Sequence, residues 1–114
     1  MKRVALFEDE AMIRDIIGSI LRDEGFEVAA YASPVLAGPE EQPDIVVSDN
    51  RMPSLTGLEY ARRLRQSGQA NRPIALMSGD WSAQDACEAE TLGCKVFHKP
   101  FPLSALREWL TTLA

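Results

Sequence analysis

Ile45-Val46-Val47-Ser48-Asp49, continuing into Asn50-Arg51-Met52-Pro53-Ser54-Leu55-Thr56-Gly57, is the stretch on which the fold turns. Its apolar run is short and unbroken, the pattern of a strand covered on both faces, and strands buried that way belong to parallel sheets sandwiched between helices. Asp49 stands at the tip of this strand with a turn behind it. Working outward, Val4 to Phe7, Ile74 to Met77 and Val96-Phe97 repeat the same short apolar pattern. Phe26 to Tyr31 alternates more loosely and suits a place near the sheet edge.

Helical periodicity fills the intervals. Met12, Ile13, Ile16, Ile17, Ile20 and Leu21 recur at three- and four-residue steps over about Ala11 to Asp23, and Gly25 follows where a helix C-terminus favours glycine. A further helix is predicted from Gly57 to Gln66, with Leu58, Ala61 and Leu64 inward and Gly68 as its stop. Another runs from Ser82, a candidate N-cap, to Leu92, ahead of Gly93. The last begins after Pro102, with Leu103, Leu106, Trp109, Leu110 and Leu113 as its apolar stripe. The pattern is βα repeated five times, an α/β chain. Its second crossover is the exception: Ser33 to Pro43 contains three prolines and a glycine, so it predicts a shortened or irregular second helix, with Val35 and Leu36 covering the sheet.

The length, 114 residues, predicts one domain over 1–114 with no room for an output domain. With 46% hydrophobic and 25% charged residues, disorder is a poor reading. A net charge of −5 argues against direct nucleic-acid or anionic-membrane binding, which needs a basic patch. The basic start, Lys2-Arg3, leads into an apolar run that stops at Glu8, too short for a signal peptide, and no segment reaches transmembrane length. Cys87 and Cys94 have no C-x-x-C spacing, and one histidine, His98, leaves a zinc site without ligands. Two free thiols in a reducing cytoplasm are expected.

Each polar candidate falls at the carboxyl end of a strand: Glu8 and Asp9 after the first, Asp49 after the third, Ser78 after the fourth and Lys99 after the fifth. In an open parallel sheet that edge is where ligands bind. Glu8-Asp9-Glu10 by itself would pass for an acidic first helical turn, Ser78 for a loop serine and Lys99 for a solvated charge. Their coincidence on one edge is what those readings leave unexplained.

At these residues the chain resembles the response-regulator receiver domains of two-component signalling, the chemotaxis-receiver type among them. The matching pieces are Phe7-Glu8-Asp9-Glu10, Pro43 to Pro53 with Gly57, Met77-Ser78-Gly79 and Lys99-Pro100-Phe101. In this order and spacing they span essentially the whole chain. The resemblance implies a flavodoxin-like, doubly wound five-stranded parallel sheet of order 2-1-3-4-5. It also implies that Asp49 receives a phosphoryl group from a phosphohistidine on a sensor histidine kinase or histidine phosphotransfer protein, and later loses it by hydrolysis.

The residues fit that chemistry. Asp49 would be a carboxylate nucleophile, forming an acyl phosphate. Phosphate and carboxylates repel, so a divalent cation is expected, Mg²⁺ or Mn²⁺, with Asp9, Asp49 and the Arg51 backbone carbonyl as ligands and Glu8 holding a metal-bound water. Lys99 would neutralise a phosphoryl oxygen and Ser78 would donate its hydroxyl, moving toward the new oxygens as the switching event. Lys99-Pro100 is a candidate cis peptide. The resemblance further implies an output partner at the face formed by the fourth helix, fifth strand and fifth helix.

Two departures stand out. The family's usual aromatic three places before the lysine is Val96 here, and Phe97, of opposite strand parity, should face the other way. The second crossover is thin. Arg51 and Asp80, each two residues past a site residue, are expected either to pair across the mouth of the empty site and control water access, or to stand as two solvated charges. Two other functions compete with this one. A phosphorylation-independent pseudo-receiver would be a binding module, but the retained Asp9, Asp49, Ser78 and Lys99 argue against it. A Mg²⁺-dependent aspartyl-phosphate hydrolase would need a D-x-D pair that Asp9-Glu10-Ala11 lacks, so the expected activity is regulatory, limited to the domain's own phosphorylation and dephosphorylation.

Overall fold

The computed structural model describes residues 2–37, 42–52, 54–67 and 71–113. Five strands, β1 (Arg3–Phe7), β2 (Glu27–Tyr31), β3 (Ile45–Asp49), β4 (Ile74–Ser78) and β5 (Lys95–His98), form one parallel sheet of order β2-β1-β3-β4-β5. Four helices, α1 (Ala11–Asp23), α2 (Gly57–Gln66), α3 (Ala83–Thr91) and α4 (Leu103–Thr111), cover it. This is the flavodoxin-like arrangement the sequence predicts. The prediction of a helix stop at Gly68, the crossover residues Gly38 to Glu41, and Pro53 lie outside the described residues.

Strand alternation divides the core into two layers. Val4, Leu6, Ile45, Val47, Ala75, Met77 and Phe97 face α1 and α4, where Ile17, Ile20, Leu21, Leu106 and Leu110 meet them. Ala5, Phe7, Val46, Ile74 and Leu76 face α2 and α3, against Leu58, Ala61 and Ala89. The three central strands bury both faces, which is why they read as unbroken apolar runs. β2, at the edge, is only half buried.

Local chemistry sets the helix ends. Thr56 Oγ1 accepts from the Glu59 amide at 3.1 Å and Ser82 Oγ from the Asp85 amide at 3.0 Å, capping α2 and α3. Gly25 and Gly93 adopt φ of +93° and +77° just past α1 and α3, a conformation that a Cβ disfavours.

Three expectations about burial need correction. Met12 and Ile16 lie on the apolar stripe of α1 yet are 75% and 46% exposed, because the stripe is wider than the strip of sheet beneath it. Leu103, at the first turn of α4, is likewise exposed. Among the described residues of the second crossover the helical part is a single 3-10 turn, Pro34–Leu36, started by Ser33 Oγ accepting from the Val35 amide. That turn buries Pro34 and turns Val35 and Leu36 outward, so they do not cover the sheet. Aromatic side chains do much of that covering: Phe7 stacks on Tyr31 at 5.6 Å and meets Tyr60 edge-on at 5.0 Å.

Among the described residues, no helix is long and apolar enough to cross a membrane. Cys87 is exposed and Cys94 buried, both free.

Candidate functional site

The sheet order reverses direction between β1 and β3, and the polar candidates gather at the carboxyl ends of the strands around that point. Backbone hydrogen bonds hold the loops that carry them: Glu8 N to the Tyr31 carbonyl, Asn50 N to the Met77 carbonyl at 2.7 Å and Lys99 N to the Ser78 carbonyl at 2.7 Å. Together Glu8, Asp9, Glu10, Asp49, Arg51, Ser78, Gly79, Asp80 and Lys99 line one open cavity of about 470 Å³.

Lys99 is the hub. Its Nζ lies 2.8 Å from Asp49 Oδ1 and 3.3 Å from Glu8 Oε1. The Arg51 amide donates to the other Asp49 oxygen at 3.2 Å, fixing the carboxylate's orientation. Glu8, Asp49 and Ser78 are buried, while Asp9 is exposed at the rim. The Lys99–Pro100 peptide bond is cis.

One ammonium cannot balance this much buried negative charge. Burial, reinforced by repulsion from Asp49, pushes the Glu8 carboxyl up to about 7 even though Lys99 pulls the other way. Burial also raises Asp49 against the pull of Lys99. Burial by itself would lower Lys99, but the Asp49 and Glu8 carboxylates outweigh it and raise the ammonium. Glu8 Oε2 is buried with no hydrogen-bond partner among the described residues.

That unpartnered oxygen fits a cation. Glu8, Asp9 and Asp49 each offer a carboxylate oxygen within 4.8 Å of the others. Ligands at about 2.1 Å around one Mg²⁺ lie up to about 4 Å apart, so small side-chain adjustments close the set.

Ser78 is engaged by Asp80. Its hydroxyl donates to Asp80 Oδ1 at 2.8 Å and accepts from the Asp80 amide at 3.3 Å. Asp80 Oδ2 in turn meets the Arg51 guanidinium at 2.9 Å, so the pair expected across the mouth is present, with side chains 76% and 51% exposed. Val96 faces the α2 and α3 layer and Phe97 the opposite one, as strand parity predicts. His98 ends β5 and is exposed.

Four residues to which sequence reasoning assigned no role in the site support it. A Cβ on Gly57 would stand 2.7 Å from the Asp49 carbonyl, so only glycine admits this approach of α2 to β3. Ser48 Oγ donates to that same carbonyl at 2.9 Å. Asn50 Oδ1 accepts from the Leu58 amide at 2.9 Å, tying the loop after Asp49 to α2. Arg14 Nη1 donates to the Glu8 carbonyl at 2.7 Å and holds the acidic loop from α1. The Ser48-Asp49-Asn50 run and Gly57 were visible as a motif, but their contacts depend on the α2 to β3 crossing, which periodicity does not reveal.

Comparison with known proteins agrees with this geometry. Residues 4–111 match the family described as the response regulator receiver domain. The alkaline phosphatase synthesis transcriptional regulatory protein SphR of Synechococcus elongatus is 33% identical over 112 residues, covering 87% of this chain and 43% of that protein. The transcriptional regulatory protein FixJ of Bradyrhizobium diazoefficiens is 36% identical over 102 residues, covering 86% and 49%. The chain thus spans about half the length of these relatives. Among solved structures, the Vibrio cholerae chemotaxis protein CheY4 superposes with a TM-score of 0.83 at 27% identity, covering 100% of this chain and 99% of that one. The receiver domain of a Pseudomonas aeruginosa PAO1 sensor histidine kinase, solved with a magnesium ion coordinated in its active site cleft, has the same fold. Its TM-score is 0.80 at 24% identity, covering 97% and 95%.

Proposed function

The chain belongs to the response regulator receiver family, and on that premise we propose that it is a cytoplasmic phosphoacceptor whose phosphorylation at Asp49 switches the binding of a partner. The observation that supports this most is the placement of Asp49: a buried carboxylate 2.8 Å from Lys99 Nζ, with two more carboxylates within 4.8 Å.

An Asp49 oxygen attacks the phosphorus of a phosphohistidine. The P–O bond forms as the P–N bond breaks, and the electron pair returns to the donor's imidazole. Glu8, Asp9, Asp49 and the Arg51 backbone carbonyl would hold Mg²⁺ or Mn²⁺, which offsets the charge of the incoming phosphoryl group. Lys99 leaves its carboxylate partners in part to neutralise one phosphoryl oxygen, and Ser78 donates its hydroxyl to another. Attack of water on phosphorus later cleaves the acyl phosphate and restores the Asp49 carboxylate. The protein's chemistry is then limited to its own phosphorylation and dephosphorylation.

The apolar groove beside α1 suits the donor. Ile13, Ile16, Ile17, Pro100, Phe101 and Leu103 line an apolar groove of about 510 Å³, and Lys99 borders both this groove and the acidic cavity. A sensor histidine kinase or phosphotransfer protein that brings its phosphohistidine to Asp49 covers this groove as it docks. The output partner would use the sheet edge at β5, the face formed by α3, β5 and α4, which corresponds to the fourth helix, fifth strand and fifth helix of the βα count.

Incubation with Mg²⁺ and acetyl phosphate, followed by intact mass measurement, tests the assignment. One added phosphate is expected, absent in Asp49→Asn and in EDTA. A parent protein that gains none, or an Asp49→Asn protein that gains it equally, would overturn the phosphoacceptor reading and leave a binding module.

A further inference from the structure

Trp81 bridges the site and the edge strand. It follows Asp80 directly, and its Nε1 donates to the Phe97 carbonyl of β5 at 3.0 Å while its ring meets His98 edge-on at 6.5 Å. It packs against the α2 and α3 layer, where Val96 supplies only a short side chain. Trp109 lies in the opposite layer, edge-on to Phe97 at 6.3 Å. Between Trp81 and the site stands the doubly bonded Ser78–Asp80 turn.

We propose that Trp81 is the mechanical link carrying the phosphorylation of Asp49 to the face of α3, β5 and α4. This rests on the phosphoacceptor reading above. Ser78 has one hydroxyl proton, so it cannot donate to Asp80 and to a phosphoryl oxygen at once. Donating to the phosphoryl group breaks its bond to Asp80 Oδ1, and the Asp80 carboxylate is repelled by the new negative charge in the same cavity. The turn opens. Trp81, one residue on and half buried, shifts with it and draws its indole N–H off the Phe97 carbonyl. The edge strand β5 and its flanking helices are thereby given a second arrangement without any rotation of a β5 aromatic.

The two indole N–H resonances of ¹⁵N-labelled protein, assigned with Trp81→Phe, test this in Mg²⁺ and acetyl phosphate, with phosphate gain read in parallel by intact mass. The Trp81 proton should move upfield and exchange faster with water on phosphorylation, while the Trp109 proton moves less. In Asp80→Ala without phosphate, where Ser78 is already released, the Trp81 proton should move in the same direction. Phosphate gain with a stationary Trp81 signal, equal movement of both indoles, or an unchanged Trp81 signal in Asp80→Ala each overturns the link while leaving phosphorylation standing. Absence of phosphate gain overturns both.

Discussion

Replacing Glu8 with glutamine should stabilise the metal-free protein, by an amount that grows as pH rises from about 4.5 through about 7. The Glu8 side chain is 1% exposed, its Oε2 has no partner among the described residues, and its carboxyl is pushed from the ordinary 4.5 up to about 7, first by burial and then by repulsion from Asp49. A carboxyl whose folded value exceeds its unfolded value binds its proton more tightly when folded. Its contribution to stability is therefore complete below pH 4.5 and is lost as pH rises through about 7. At about 1.4 kcal/mol per pH unit, the loss reaches at most about 3 kcal/mol by pH 8. Glutamine resembles the protonated side chain and cannot ionise, so Glu8→Gln escapes that loss. For a domain of this size the difference is on the order of 10 °C in melting temperature. Thermal unfolding of both proteins in EDTA at pH 5 and pH 8 measures it. The gap between variant and parent should open from pH 5 to pH 8, and Mg²⁺ should narrow it by stabilising the parent more. Asp49, also raised by burial, leaves a residual slope in the variant. A gap of the same size at both pH values would refute the claim that an uncompensated Glu8 charge sits in the site.

Gly57→Ala sets the 2.7 Å contact with the Asp49 carbonyl, and contacts of 3.1 Å with Leu76 and Ser48, against the modest helical gain of alanine over glycine. The clash should prevail, lowering stability by about 1–3 kcal/mol and slowing phosphate gain by about tenfold or more as Asp49 is displaced, readable from denaturant unfolding and time-resolved intact mass. Arg51→Ala removes one end of a pair with side chains 76% and 51% exposed, so stability should change by less than about 0.5 kcal/mol, while phosphate is lost from Asp49 faster than in the parent. Loss at the parent's rate would end the idea that the pair limits water access.

What could be read in the sequence follows from where each signal originates. Ile45 to Val47 and Ile74 to Met77 declare their strands because both faces are buried, and Asp49, Ser78 and Lys99 declare the site because each ends such a run. Chain periodicity reports which residues share a helix face but not how wide a surface lies opposite. Met12 and Ile16 therefore share the stripe of Ile17 and Leu21 yet remain in solvent. Val35 and Leu36 face outward for a related reason: a single 3-10 turn has one inner side, and Pro34 occupies it. Gly57 and Trp81 were legible as residues but not as contacts, since each acts across elements, α2 on β3 and the loop after β4 on β5.

Asp80 belongs to two devices at once, which is why its variants separate what those of Arg51 cannot. It holds Arg51 across the mouth at 2.9 Å and receives the Ser78 proton at 2.8 Å. Losing Arg51 opens the mouth but leaves the Ser78–Asp80 turn intact, so phosphate leaves faster while the Trp81 indole of the unphosphorylated protein stays on the Phe97 carbonyl. Losing Asp80 does both: the mouth opens and Ser78 is released before any phosphoryl group arrives. Faster phosphate loss shared by both variants, with a displaced indole in Asp80→Ala only, locates gating in the ion pair and relay in the hydroxyl. A displaced indole in Arg51→Ala as well would mean that the mouth and the relay move as one piece, and the separate role given to Ser78 would fail.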